Sequence, residues 1–151
     1  MGKSSLMPEM VGFRLLKLSN LISRPFFAEF ARQHALSLNE WRAIVVLAKR
    51  PGSAAQDIAA ATGLHPMNVS RAVISLRKSG LVEEARDPDN HRRVLLWLTR
   101  TGKKKFDEIS PRAERDAGML FDALTPQEQA TFSKLIDKLI ARAEDMSLGS
   151  D

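Results

Sequence analysis

Residues 56–76, QDIAAATGLHPMNVSRAVISL, read as two short helices joined by a tight turn. Gly63 supplies the turn, because a residue without Cβ takes positive φ at no steric cost. Pro66 opens the second helix, where its fixed φ is already helical and its missing N–H would have had no partner. Val69, Ala72, Val73 and Leu76 recur at i, i+3, i+4 and i+7, which is one buried helical stripe. The opposite face collects Met67, Asn68, Arg71, Ser75 and Lys78. Ala59 is small where the two helices would cross. A helix pair of this kind, with a polar and basic outer face, is what a DNA-reading helix-turn-helix requires.

Downstream, Gly80 has the place of a C-terminal cap, and the pattern then changes period. Residues 81–86 and 94–98 are short β-type runs separated by the polar turn DPDNHRR. They predict a hairpin with a basic tip of His91, Arg92 and Arg93, in the position of a wing. In the second run Val94, Leu96 and Leu98 alternate with Leu95 and Trp97, so one face turns inward. Thr99 can cap a further helix over about 100–123, which Pro111 should bend or divide. Thr125 and Glu128 have capping-box spacing around Pro126, and Phe132, Leu135, Ile136, Leu139, Ile140 and Ala143 then form a stripe to about residue 146.

Upstream, residues 8–34 read as a long helix carrying apolar residues on more than one face, among them Phe13, Leu16, Leu21, Phe26, Phe27 and Phe30. A terminal helix of that kind needs covering on more than one side, which points to a partner chain. Pro25 should kink or interrupt it. A second helix spans 37–49, started by Ser37 and Glu40 at capping-box spacing and stopped by Pro51 and Gly52. Ser53 and Gln56 repeat that spacing ahead of a helix over 54–62. Trp41 lies on the apolar side of the second helix.

The expected class is therefore mostly α with a small β-hairpin wing: a winged helix-turn-helix lobe over about 36–100, with dimerisation helices at 8–34 and 101–146. A chain of 151 residues with 44% hydrophobic and 27% charged residues is enough for one such domain. The net charge of +5 is unevenly spread. Residues 66–105 hold ten Lys or Arg against four acids, while residues 106–151 hold five against ten. A positive middle beside a negative end suits a protein whose middle meets a polyanion. No apolar run is long enough to span a bilayer and the first ten residues lack the apolar core of a signal peptide, so the expected location is the cytoplasm.

The chain has no cysteine, and its three histidines stand far apart, so no metal site and no cofactor are expected. Nucleophile elbows, phosphate loops and convergent carboxylates are also lacking from the sequence, which argues against an enzyme. An adaptor that uses a winged helix to bind protein would favour acidic surfaces here, and an RNA-binding module would want exposed aromatics. Trp97 is the one aromatic residue of the basic segment.

The order of elements, together with LNEW at 38–41, Pro51-Gly52, Val69-Ser70-Arg71, Gly80-Leu81-Val82, Asn90-His91-Arg92 and LWLTRTG at 96–102, resembles the MarR family of winged helix-turn-helix transcriptional regulators. The resemblance implies a homodimeric repressor or activator on double-stranded DNA. Two recognition helices about 34 Å apart would read a pseudo-palindromic operator. It implies that Met67, Asn68, Ser70 and Arg71 face the major groove and that Arg92 enters the minor groove. With Ser75, Lys78, His91 and Arg93 these make up the expected DNA surface. The wing commonly reads Asp-x-Arg, whereas this chain has Asn90, with Asp89 one residue earlier as a substitute. The resemblance further implies release from DNA by a small aromatic or acidic effector, with Phe13, His34, Trp41 and Met119 as candidate lining residues.

Overall fold

In the computed structural model residues 10–149 are described, except for the side chains of residues 25–31. The start of the first helix before residue 10, and the side chains of Phe26, Phe27 and Phe30, lie outside that description. Eight elements follow in order among the described residues: α1 (Val11–His34), α2 (Leu38–Lys49), α3 (Ala55–Thr62), α4 (Pro66–Lys78), β1 (Val82–Arg86), β2 (Val94–Leu98), α5 (Arg100–Phe121) and α6 (Pro126–Leu148). The chain divides by contacts into two units, 1–109 and 110–151. The boundary falls within α5.

The core of the first unit is built where the apolar periods predicted it. Ile44 and Leu47 from α2, Ile58 from α3, Val69 and Leu76 from α4, and Leu96 from β2 are all fully buried. Against that core β1 and β2 form an antiparallel hairpin in the register Val82 to Leu98 and Arg86 to Val94. Leu96 and Leu98 turn inward and Val94, Leu95 and Trp97 are half-buried.

The helix ends show why the boundaries fall where they do. The Ser37 hydroxyl accepts from the Glu40 backbone N–H at 3.1 Å and caps α2. Gly63, at φ 73°, ends α3 in the left-handed region. At the end of α4, Leu81 N–H donates to Leu76 carbonyl at 2.9 Å and Gly80 N–H to Arg77 carbonyl at 3.0 Å, the bonding pattern of a Schellman motif with Gly80 at φ 73°. Thr99 Oγ1 accepts from Gly102 N–H at 3.1 Å and donates to the Gly80 carbonyl at 2.6 Å, tying the start of α5 to the end of α4.

One expected cap needs correction, and the prolines resolve in one direction. The expected Ser53/Gln56 cap of α3 is shifted by one residue: Ala54 is the N-cap, and Asp57 Oδ2 accepts the Ala54 N–H at 2.8 Å. Ser53 is used differently, because its carbonyl accepts from Leu96 N–H while Gly52 N–H donates to the Leu96 carbonyl, each at 2.9 Å. This bridge makes the residues before α3 a third, very short neighbour of the wing. Of the two outcomes expected at each proline, a bend or a break, the break is excluded: α5 continues through Pro111 and α1 through Pro25. A helix spans a proline when the one lost backbone bond and the local clash are absorbed within it.

The second unit holds the end of α5 and all of α6. Thr125 and Glu128 form the predicted reciprocal box, Glu128 N–H donating to Thr125 Oγ1 at 3.2 Å and Thr125 N–H to Glu128 Oε1 at 2.9 Å. The connection is fastened by Gln129 Nε2, which donates to the carbonyls of Phe121 at 2.8 Å and Leu124 at 3.1 Å. Phe121 lies against Phe132 with ring centroids 6.4 Å apart.

Candidate nucleic-acid interface

The outer face of α4 is set by helical phase. Successive side chains turn by about 100°, so burying Val69, Ala72, Val73 and Leu76 forces Met67, Arg71, Ile74 and Lys78 to the centre of the opposite face. Asn68 and Ser75 run along one edge of that face, and Ser70 and Arg77 along the other. Met67, Asn68, Ser70, Arg71 and Lys78 are exposed and Ser75 is half-buried. Arg77 is engaged across to β1, where Nη2 lies 3.1 Å from Glu84 Oε1.

Ile74 belongs to this face although it was not among the expected contacts. It is 48% exposed, beside Met67 at 57%. The signal was available in the sequence, since position 74 repeats position 67 after seven residues.

His65 caps α4: its Nδ1 accepts from Met67 N–H at 3.1 Å. This fixes the first turn of the helix, where the groove-facing residues begin, and it requires the imidazole to be unprotonated at Nδ1.

The wing tip is shaped by its own polar side chains. Asp87 Oδ1 accepts from Asp89 N–H at 2.9 Å, and Asn90 Oδ1 accepts from Arg92 N–H at 3.2 Å. Two successive Asx turns therefore fold the tip. Asn90 orients Arg92 through the backbone, an interaction that needs only a carbonyl oxygen and no charge. Asp89 makes no ion pair with Arg92 among the described residues. Arg86 Nη1 donates to the His91 carbonyl at 2.7 Å and closes the tip from the other strand.

The three basic tip residues thus differ. His91 and Arg92 are exposed with no ion-pair partner among the described residues. Arg93, expected at the DNA surface, is also paired with α3: its Nη2 lies 2.7 Å from Asp57 Oδ2. The signal for this was hidden in the sequence, because the partners stand 36 residues apart. Between α3 and the wing lies a cleft of about 300 Å³ lined by Ala54, Ala55, Gln56, Asn90, Arg92, Arg93 and Val94.

Taken together, these elements are a helix-turn-helix followed by a wing, with Arg71 and Lys78 on the outer face of α4 and Arg92 at the hairpin tip outside any ion pair among the described residues. The sequence profile of the MarR family matches residues 35–106, the span from the end of α1 to the first half of α5. Over that span the chain is similar to the MarR family. Among relatives of known name, it is 29% identical to the transcriptional repressor MprA of Escherichia coli K12, over 74% of this chain and 66% of that one. The fold resembles that of a MarR/EmrR family transcriptional regulator from Acinetobacter sp. ADP1, with a TM-score of 0.81 and 22% identity, covering 87% of this chain and 93% of the other. It also resembles BpsR of Bordetella bronchiseptica, whose DNA binding is regulated by 6-hydroxynicotinic acid, with a TM-score of 0.79 and 23% identity over 88% of this chain and 94% of that one.

Three of the four candidate effector contacts lie in the first unit, where Phe13 and His34 stand near opposite ends of α1. Trp41 is buried and stacked on Phe106, with centroids 5.8 Å apart and planes at 21°. His34 is half-buried near the end of α1, and Phe13 is exposed on the same helix near its start. Met119 is exposed and belongs to the second unit.

Proposed function

We propose that this chain is a MarR-type DNA-binding transcriptional regulator that acts in the cytoplasm as a homodimer on a pseudo-palindromic duplex site. One observation carries the DNA reading: the exposed face of α4, where Arg71 and Lys78 alternate with Met67 and Ile74 beside Asn68 and Ser75. Arg71 can grip a guanine edge or a phosphate, Asn68 an adenine edge, and the apolar pair a thymine methyl group. Arg92 at the wing tip supplies a cation for the adjacent minor groove.

The homodimer is supported by α1 and α6, each of which carries large apolar side chains that the chain itself leaves exposed. Release by a small aromatic or acidic effector is supported by likeness to BpsR. Phe13, His34, Trp41 and Met119 remain its proposed contacts.

The test is fluorescence anisotropy with a duplex enriched from a randomised pool by the wild-type protein, set against a scrambled duplex. Specific binding that falls steeply with salt is expected, because each phosphate contact releases counterions. Arg92→Ala should weaken binding about tenfold, and Arg71→Ala should weaken it about tenfold or more and relax the base preference at its position. Equal affinity for both duplexes, or wild-type binding by both variants, would overturn the assignment.

A further inference from the structure

The wing joins the rest of the first unit at its α3 side through two attachments of different kinds. The first is the backbone bridge between Ser53 and Leu96. The second is the ion pair of Arg93 with Asp57, three residues nearer the tip, or about 10 Å along an extended strand. The base of the hairpin is anchored in the core by Leu96 and Leu98, so the second attachment is the one that restrains the tip half against α3.

The ion pair is well placed to act as that restraint. Asp57 Oδ2 accepts both the Ala54 N–H at 2.8 Å and Arg93 Nη2 at 2.7 Å. The carboxylate is therefore already oriented by the cap of α3 before the arginine arrives. Arg93 is fixed from its own side as well, its N–H donating to the Asn90 carbonyl at 2.8 Å and its carbonyl accepting from Asp87 N–H at 2.9 Å. The Asp57 side chain and the Arg93 backbone are thus both held before the pair forms, so the only side chain it newly orders is that of Arg93.

We infer that Asp57 and Arg93 are positioning residues for DNA binding: the pair sets the angle of the wing against α3 and so aims Arg92, while Arg93 itself makes no phosphate contact. This rests on the DNA-binding reading above. It divides the work of adjacent arginines, one holding the wing and the next meeting DNA across the cleft that both line.

The sign of one substitution separates the two possible roles of Arg93. Asp57→Asn keeps an oxygen for the Ala54 N–H but removes the charge that holds Arg93. If the pair positions the wing, Asp57→Asn weakens binding to the enriched duplex about three- to tenfold, although a negative charge has been removed near a polyanion. Arg93→Met should give a similar loss with no change in the slope of log K against log salt. The double variant should be no worse than either single one, and Arg93→Lys should recover much of the affinity. Thermal melting of each variant keeps a binding loss separate from unfolding.

Tighter or unchanged binding by Asp57→Asn overturns the inference. So does a salt slope reduced by about one unit per lost contact in Arg93→Met, the mark of a phosphate ligand. Failure of the wild type to bind any duplex would instead overturn the DNA-binding reading itself.

Discussion

Gly102 has no room for a methyl group. A Cβ built on it would overlap the carbonyl oxygen of Leu81, which also accepts the Thr99 N–H at 3.0 Å. The start of α5 thus lies directly on the turn between α4 and β1, and only a bare backbone fits. Gly102→Ala should destabilise the protein by about 1–3 kcal/mol in denaturant titration. Gly118, further along the same helix, meets nothing within 4 Å. Gly118→Ala should stabilise by about 0.5–1 kcal/mol, because alanine gives up less backbone freedom on folding. Both are helical glycines in the sequence, and their opposite signs are not legible there. The difference lies in a chain reversal that brings Leu81 back over residue 102. The wing shows a similar limit at residue scale. The absence of Asp at position 90 is visible in the sequence, but not that Asn90 would do its orienting work through a backbone N–H.

At the scale of elements, caps were read best where both partners stand in one turn. The box of Thr125 and Glu128 is as predicted, because its geometry is local. The start of α3 lies one residue beyond the Ser53 spacing, since Ser53 is claimed by the wing strand and leaves Ala54 as the cap. The Thr125 box also predicts a pH response. The backbone N–H of Thr125, and then its side chain, hold the Glu128 carboxyl below its ordinary value. A carboxyl whose folded value is lowered contributes stability that is complete above its unfolded value and is lost as pH falls through the folded one. Acidification should therefore fray the start of α6. Melting followed by circular dichroism, at neutral pH and at about pH 3, should show a larger loss for the wild type than for Glu128→Gln, which has no charge to lose.

For the whole molecule, the feature that the single chain leaves unresolved is its exposed apolar surface. Leu16 on α1 is 66% exposed and Leu139 on α6 is 61% exposed, each among other large apolar side chains of its own helix. Exposed apolar surface on this scale marks an interaction site. Leu16→Glu and Leu139→Glu should each shift sedimentation equilibrium towards monomer, by about tenfold or more in dissociation constant, and weaken binding to a two-fold duplex site in parallel. A variant that stays dimeric at micromolar concentration would remove its helix from the proposed interface.

The sequence by itself determined the element order, the buried stripe of α4 and the composition of its outer face. Each of these follows from period, capping and glycine placement within a few turns of chain. Only the tertiary structure decided how the cations are divided. Arg77 pairs with Glu84 and Arg93 with Asp57, while Arg71, Lys78 and Arg92 remain without an ion-pair partner among the described residues. Helical phase already sets Arg77 apart from Arg71 and Lys78, but in the sequence Arg92 and Arg93 are alike, because a positive charge carries no record of its partner. Whether a cation is engaged or free depends on which carboxylate the fold brings within about 4 Å of it, and for Arg93 that carboxylate comes from another element, 36 residues away.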